Sequence, residues 1–155
     1  MGQSSLSQLQ VHRVPRHLMC DTGRHLFKDC YIEGTVDFIF GNGKSVYMNT
    51  AIKSVAEGLG VITVQAMGGE PNSKFIFIHC NITGSGDMYL GRAWKETSRV
   101  VFAYTYMGPL INKTGWMRGA LQKYGACAVH LYFHFSSFSS SEIVGIITNI
   151  DRMVN

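Results

Sequence analysis

A β-solenoid is the fold class that this 155-residue chain predicts, and three observations point to it. Short runs rich in β-branched and aromatic residues recur along the chain. Glycine turns separate them, at Gly41-Asn42-Gly43, Gly58-Leu59-Gly60, Gly68-Gly69 and Gly84-Ser85-Gly86. A faint repeat runs through the middle: Asp29-Cys30-Tyr31-Ile32-Glu33-Gly34 matches His79-Cys80-Asn81-Ile82-Thr83-Gly84. Its apolar anchor recurs at Ile32, Ile52, Ile82 and Met107, in steps of 20, 30 and 25 residues. Repeats of this length mean stacked supersecondary units. Strand units without helices stack as a solenoid, each coil burying its inward side chains on its neighbours. On periodicity alone, a β-sandwich remains the competing arrangement.

In chain order the expected strands are Phe27–Ile32, Val36–Phe40, Ser45–Met48, Val61–Ala66, Phe75–Cys80 and Arg99–Met107. Residues 1–19 lack alternation and read as a divergent N-terminal segment. Residues 119–155 include Phe133-His134-Phe135-Ser136-Ser137-Phe138-Ser139-Ser140-Ser141 and read as a divergent C-terminal tail. Solenoids need caps, so that tail is a cap or an unstructured extension.

Composition narrows the function. With 46% hydrophobic and 15% charged residues the chain is not generally disordered. A net charge of +4 attracts nucleic acid, anionic lipid or acidic polysaccharide, or merely aids solubility. There is no Lys/Arg block, which weighs against nucleic acid. Cys20, Cys30, Cys80 and Cys127 form no CxxC pair, so a zinc or redox site is not expected and buried free thiols are. The start has no apolar signal-peptide core, and no apolar run reaches the roughly 18 residues of a membrane span. Two glycosylation triplets, Asn81-Ile82-Thr83 and Asn112-Lys113-Thr114, are weak support for secretion.

Two segments carry chemistry. In Ile32-Glu33-Gly34-Thr35-Val36-Asp37-Phe38-Ile39-Phe40-Gly41 a carboxylate lies within an apolar run. Carboxylates in such places are rare unless paired or functional, although alternation alone would also turn Asp37 outward. In Tyr89-Leu90-Gly91-Arg92-Ala93-Trp94-Lys95-Glu96 a guanidinium and an indole stand two residues apart, on one face if the segment is a strand. Arginine grips carboxylates with two hydrogen bonds, and an indole face stacks on sugars. A surface Arg beside a core Trp would look the same.

Residues 34–42, GTVDFIFGN, and 90–96, LGRAWKE, resemble the two signature motifs of plant and bacterial pectinesterases. Gly43-Lys44-Ser45-Val46-Tyr47 and Val61-Ile62-Thr63-Val64-Gln65 fit the plant members, and the likeness covers about residues 20–118. The resemblance implies a right-handed parallel β-helix that hydrolyses C6 methyl esters of galacturonate in pectin. It implies Asp37 as nucleophile, Arg92 as the group that orients it and favours its ionised form, and Trp94, Phe40 and Val36 at the sugar subsite. No metal or organic cofactor is expected. The partners implied are pectin (homogalacturonan) and a proteinaceous pectinesterase inhibitor, for a secreted cell-wall monomer with no nucleic acid or membrane partner. A pectate lyase would want acidic calcium-binding clusters, and none is seen in the sequence.

The resemblance also exposes a gap. The family carries an upstream Gln-Asp-Thr-Leu motif, whose aspartate is general acid and then general base and whose glutamine helps hold the oxyanion. A gap-free alignment puts Pro15, Arg16 and His17 in that place. Arginine is no general acid near neutral pH. Codon choice offers one explanation. Written CCA AGA CAC CTT ATG, Pro15-Arg16-His17-Leu18-Met19 spells Gln-Asp-Thr-Leu from the second base, which would make residues 1–19 an out-of-frame translation. The nucleotide sequence decides it. Asp21 is the rival acid/base, against its reading as a turn residue before Thr22-Gly23.

Overall fold

The structure is a computed structural model. It describes residues 7–9, 18–65, 73–93, 99–117 and 127–131, of which Ser7–Leu9, Ala93 and Cys127–Leu131 are described by backbone alone. Thirteen strands lie among them: β1 Ser7–Leu9, β2 Leu18–Met19, β3 Arg24–Lys28, β4 Tyr31–Gly34, β5 Ile39–Gly41, β6 Lys44–Met48, β7 Ala51–Gln65, β8 Lys74–Ile78, β9 Asn81–Ala93, β10 Arg99–Ala103, β11 Tyr106–Met107, β12 Trp116–Met117 and β13 Cys127–Leu131. One sheet runs β1-β3-β6-β8-β10-β13. The other runs β2-β5-β7-β9-β11, with β4 also on β7 and β12 also on β9. The pairings between these strands are parallel.

The chain therefore winds, crossing the first sheet, turning a corner, running along the second sheet in two stretches and returning. The repeat seen in the sequence is this winding. Ile32 lies in register with Ile52, Ile52 with Ile82, and Ile82 with Met107. The unequal steps come from connections. Asn42-Gly43 suffices between β5 and β6, whereas residues 66–73 join β7 to β8.

The corners explain where the expected strands break. Asp29, Asn49, His79 and Tyr104 adopt φ of 55°, 49°, 53° and 49°, the left-handed region. Phe27–Ile32, Phe75–Cys80 and Arg99–Met107 are each interrupted there, because a left-handed residue turns the chain out of the strand. The next residue closes each corner by donating to the carbonyl two positions back. Cys30 Sγ reaches Lys28 O at 3.3 Å, Thr50 Oγ1 reaches Met48 O at 3.1 Å, Cys80 Sγ reaches Ile78 O at 3.5 Å and Thr105 Oγ1 reaches Ala103 O at 3.0 Å. Ala51–Gly60 reads poorly as a strand, with Lys53, Glu57 and two glycines. It is nonetheless strand, because β4 and β9 offer ladder partners on its two sides.

The core lies between the sheets. Phe27, Tyr47, Phe77 and Phe102 occupy one register position on four successive strands. Their rings stack at 4.9, 4.4 and 4.5 Å, tilted by no more than 11°. Trp116 closes on Phe102 at 6.1 Å. The Tyr47 hydroxyl is buried beside Cys20 Sγ at 3.4 Å. Among the described residues no helix is long and apolar enough to cross a membrane.

Candidate active site

Asp37 sits in the bend between β4 and β5, not in a strand, with φ of 49°. The local sequence dictates this. A Cβ on Gly34 would lie 2.3 Å from the Phe38 side chain, so glycine is what lets that ring fold back into the core. Phe38 is fully buried. The backbone on either side is held by different coils. The Asp37 N–H donates to Val61 O at 2.7 Å, and Phe38 O accepts from Leu18 N–H at 2.7 Å. Aspartate tolerates the left-handed conformation better than most residues.

Arg92 stands near the end of β9, in register with Val64 on one side and Met117 on the other. It reaches Asp37 across the intervening β7. Nε donates to Oδ1 at 3.0 Å and Nη2 to Oδ2 at 2.5 Å. This is the fork on a carboxylate that arginine geometry favours. The Arg92 guanidinium is held above its ordinary pKa, chiefly by its hydrogen bond to Asp37 and in spite of partial desolvation. The side chains are 43% and 29% exposed, so the pair faces solvent and a ligand can approach it.

The other expected site residues fall differently. Val36 is 44% exposed in the same bend as Asp37. Phe40 is half-buried in β5, in register with Met19 and Val64. Trp94 lies outside the described residues, as does Arg16. Asp21 is exposed just past β2. Its neighbour Cys20 bonds Phe40 O and Gly43 N–H, so Asp21 stands by the Gly41–Gly43 turn and not by Asp37. Leu18 pairs with Ile39 and Met19 with Phe40. Among the described residues no group of three metal-ligating side chains occurs.

Gln65 was not singled out from sequence. It is fully buried. Its Nε2 donates to Ser73 Oγ at 2.5 Å, Ser73 Oγ donates to Gly43 O at 3.3 Å, and its Oε1 accepts from Arg99 N–H at 2.8 Å. One amide ties together the entries to β6, β8 and β10, directly after Val64, the strand neighbour of Arg92. The signal was an amide ending the strand-like run Val61–Val64, inside a segment that fits the plant family members.

The family model described as Pectinesterase matches residues 3–135. Putative pectinesterase 63 of Arabidopsis thaliana is 50% identical over 98 residues, 62% of this chain and 29% of that protein. Pectinesterase 2 of Olea europaea is 43% identical over 117 residues, 74% of this chain and 32% of that protein. The chain thus spans about a third or less of the curated relatives it matches. Among solved structures, a pectin methylesterase from carrot superposes with TM-score 0.62 and 25% identity, over 80% of this chain and 48% of that one. A pectin methylesterase from Aspergillus niger shares the fold with TM-score 0.58 and 22% identity, over 81% and 48%. The fold is the right-handed parallel β-helix expected from the sequence. With its two signature segments joined as one ion pair and the family match running over most of its length, the chain belongs to the pectinesterase family.

Proposed function

We propose that this chain carries the nucleophile side of a pectinesterase site, acting on C6 methyl esters of galacturonate in homogalacturonan to give pectate and methanol. The observation that carries the proposal is the two-pronged Asp37–Arg92 pair, open to solvent on a solenoid face. Asp37 attacks the ester carbonyl, methanol leaves with a proton, and water hydrolyses the acyl-enzyme. Arg92 fixes the rotamer of Asp37 and supplies positive charge beside the developing oxyanion. Trp94, Phe40 and Val36 flank the sugar. The site belongs to a secreted cell-wall monomer, with pectin and a protein inhibitor as partners.

Turnover also needs a general acid/base. The gap-free alignment sets Arg16 at the position of that aspartate, and Asp21 lies past it, beside the Gly41–Gly43 turn. Loss of such a group costs about 100- to 10,000-fold, so this chain turns over slowly or not at all. That same feature favours a second reading, a polygalacturonate-binding solenoid without turnover.

Methanol release from highly methylated pectin, with Asp37→Asn as control, separates the two. Release abolished in the variant establishes the esterase and requires an acid other than residue 16. Absence of release from a chain with a β-rich circular dichroism spectrum removes the catalytic reading and leaves binding.

A further inference from the structure

The two Asn-X-Thr triplets sit in opposite environments. In Asn112-Lys113-Thr114 both ends of the asparagine amide are in use. Asn112 Nδ2 donates to Asp87 Oδ1 at 2.9 Å and Oδ2 at 3.1 Å. Asn112 Oδ1 accepts from the Thr114 N–H at 3.0 Å and the Thr114 hydroxyl at 2.7 Å. A substituent on that nitrogen would break the clamp that holds residues 112–114 against β9.

Asn81 opens β9 and is engaged only through its backbone, whose N–H donates to Thr50 O at 3.1 Å. Ile82 is fully buried, so alternation turns Asn81 and Thr83 outward together, and both are exposed. Among the described residues the Asn81 side chain has no hydrogen-bond partner. The neighbour in register on β11 is Tyr106, 59% exposed, one strand spacing (about 4.8 Å) away. An aromatic face at that distance is a stacking surface for a first sugar ring. Asn81 and Arg92 lie at opposite ends of β9, so a glycan at Asn81 leaves the Asp37–Arg92 pair clear.

We propose that Asn81 is an N-glycan attachment site and that Asn112 is not. This rests on the proposed secretion of the chain. The donor is a lipid pyrophosphoryl oligosaccharide. A bond forms between Asn81 Nδ2 and the anomeric carbon, the bond from that carbon to the pyrophosphate oxygen breaks, the lipid pyrophosphate departs, and the amide proton passes to a base of the transferase.

The test takes the full chain, secreted from cultured mammalian cells behind a fused leader, so that every molecule analysed has passed the glycosylating compartment. Amidase release of glycans in ¹⁸O-water marks each former glycan site as labelled aspartate, read by peptide mass spectrometry. Label at position 81 and none at 112 is the expected result, one glycan per chain. Label at 112, or at neither position, overturns the proposal. Asn81→Gln should abolish the amidase-sensitive mobility shift, and Asn112→Gln should retain it; the reverse pattern sinks it. Whether the natural product reaches the wall is read separately, from fractionation of its own tissue, so failure of secretion and failure of the site are distinguishable.

Discussion

Asp37 and Arg92 were legible as a chemical pair because their flanking residues form motifs that few folds share, yet the reason Asp37 is presentable lies in its backbone. Gly34 admits the Phe38 ring, and the left-handed bend then aims the carboxylate outward. No alternation rule reveals this, since the residue leaves the strand at that point. The cysteines illustrate the converse. Cys30 and Cys80 occupy corner positions filled elsewhere by Thr50 and Thr105, and make the same bond to the carbonyl two residues back. Burial pushes the Cys80 thiol from 9.0 up to about 12, so it is a structural donor and not a reactive thiolate. Cys80→Thr should therefore change stability by less than about 1 kcal/mol, and Cys80→Ala should lower it by roughly 1–2 kcal/mol. Urea denaturation of both variants checks this, and equal loss in the two would refute equivalence. His25 carries a pH dependence. Burial lowers its pKa from 6.5, so the unfolded chain binds the proton more tightly than the folded one. Its contribution to stability is whole above pH 6.5 and is lost as pH falls towards the lowered folded value. The melting temperature should drop on acidification from pH 7 to 5, and His25→Gln should flatten part of that slope.

The elements were legible where the strand pattern is strong and obscured where neighbours decide. Val46, Phe75–Ile78 and Val61–Val64 announce strands by composition. Ala51–Gly60 does not, and takes strand form from partners in the coils before and after it. The corners were hidden because Asp29, Asn49, His79 and Tyr104 share a conformation without sharing a residue type. Asn49 Nδ2 bonds Asp29 Oδ1 at 2.5 Å, and the His79 and Tyr104 rings stack at 5.3 Å, so neighbouring corners support one another by different chemistry. Gln65 shows the same dependence on context, since the bonds made by it and by its partner Ser73 join strand ends far apart in sequence. Replacing it by leucine leaves the Arg99 N–H and Ser73 hydroxyl without their partner, and an unpaired buried polar group costs about 1–3 kcal/mol. Gln65→Leu should show that loss in denaturation, with faster amide exchange at Arg99 and Ser73. Unchanged exchange at Arg99 would show that the amide does not hold the β10 entry.

At the scale of the molecule, the solenoid repeat was readable as steps between isoleucines, while the lengths of individual coils were not, because connections absorb the difference. The continuous ring stack from Phe27 to Phe102 gives adjacent coils a shared interior, which is how a fold without long-range sheet closure remains one unit. The Asp37–Arg92 pair joins two coils of the solenoid across β7.

Asp37 and Arg92 lie 55 residues apart, which has a consequence during synthesis. The ribosome delivers roughly 5–20 residues per second, so Asp37 emerges about 3–11 seconds before its partner. In that interval the carboxylate lacks the guanidinium that fixes its rotamer. The two-pronged ion pair closes only after β9 has left the exit tunnel and docked on β7, so the pair is assembled late, a built-in delay between translation and a complete pair.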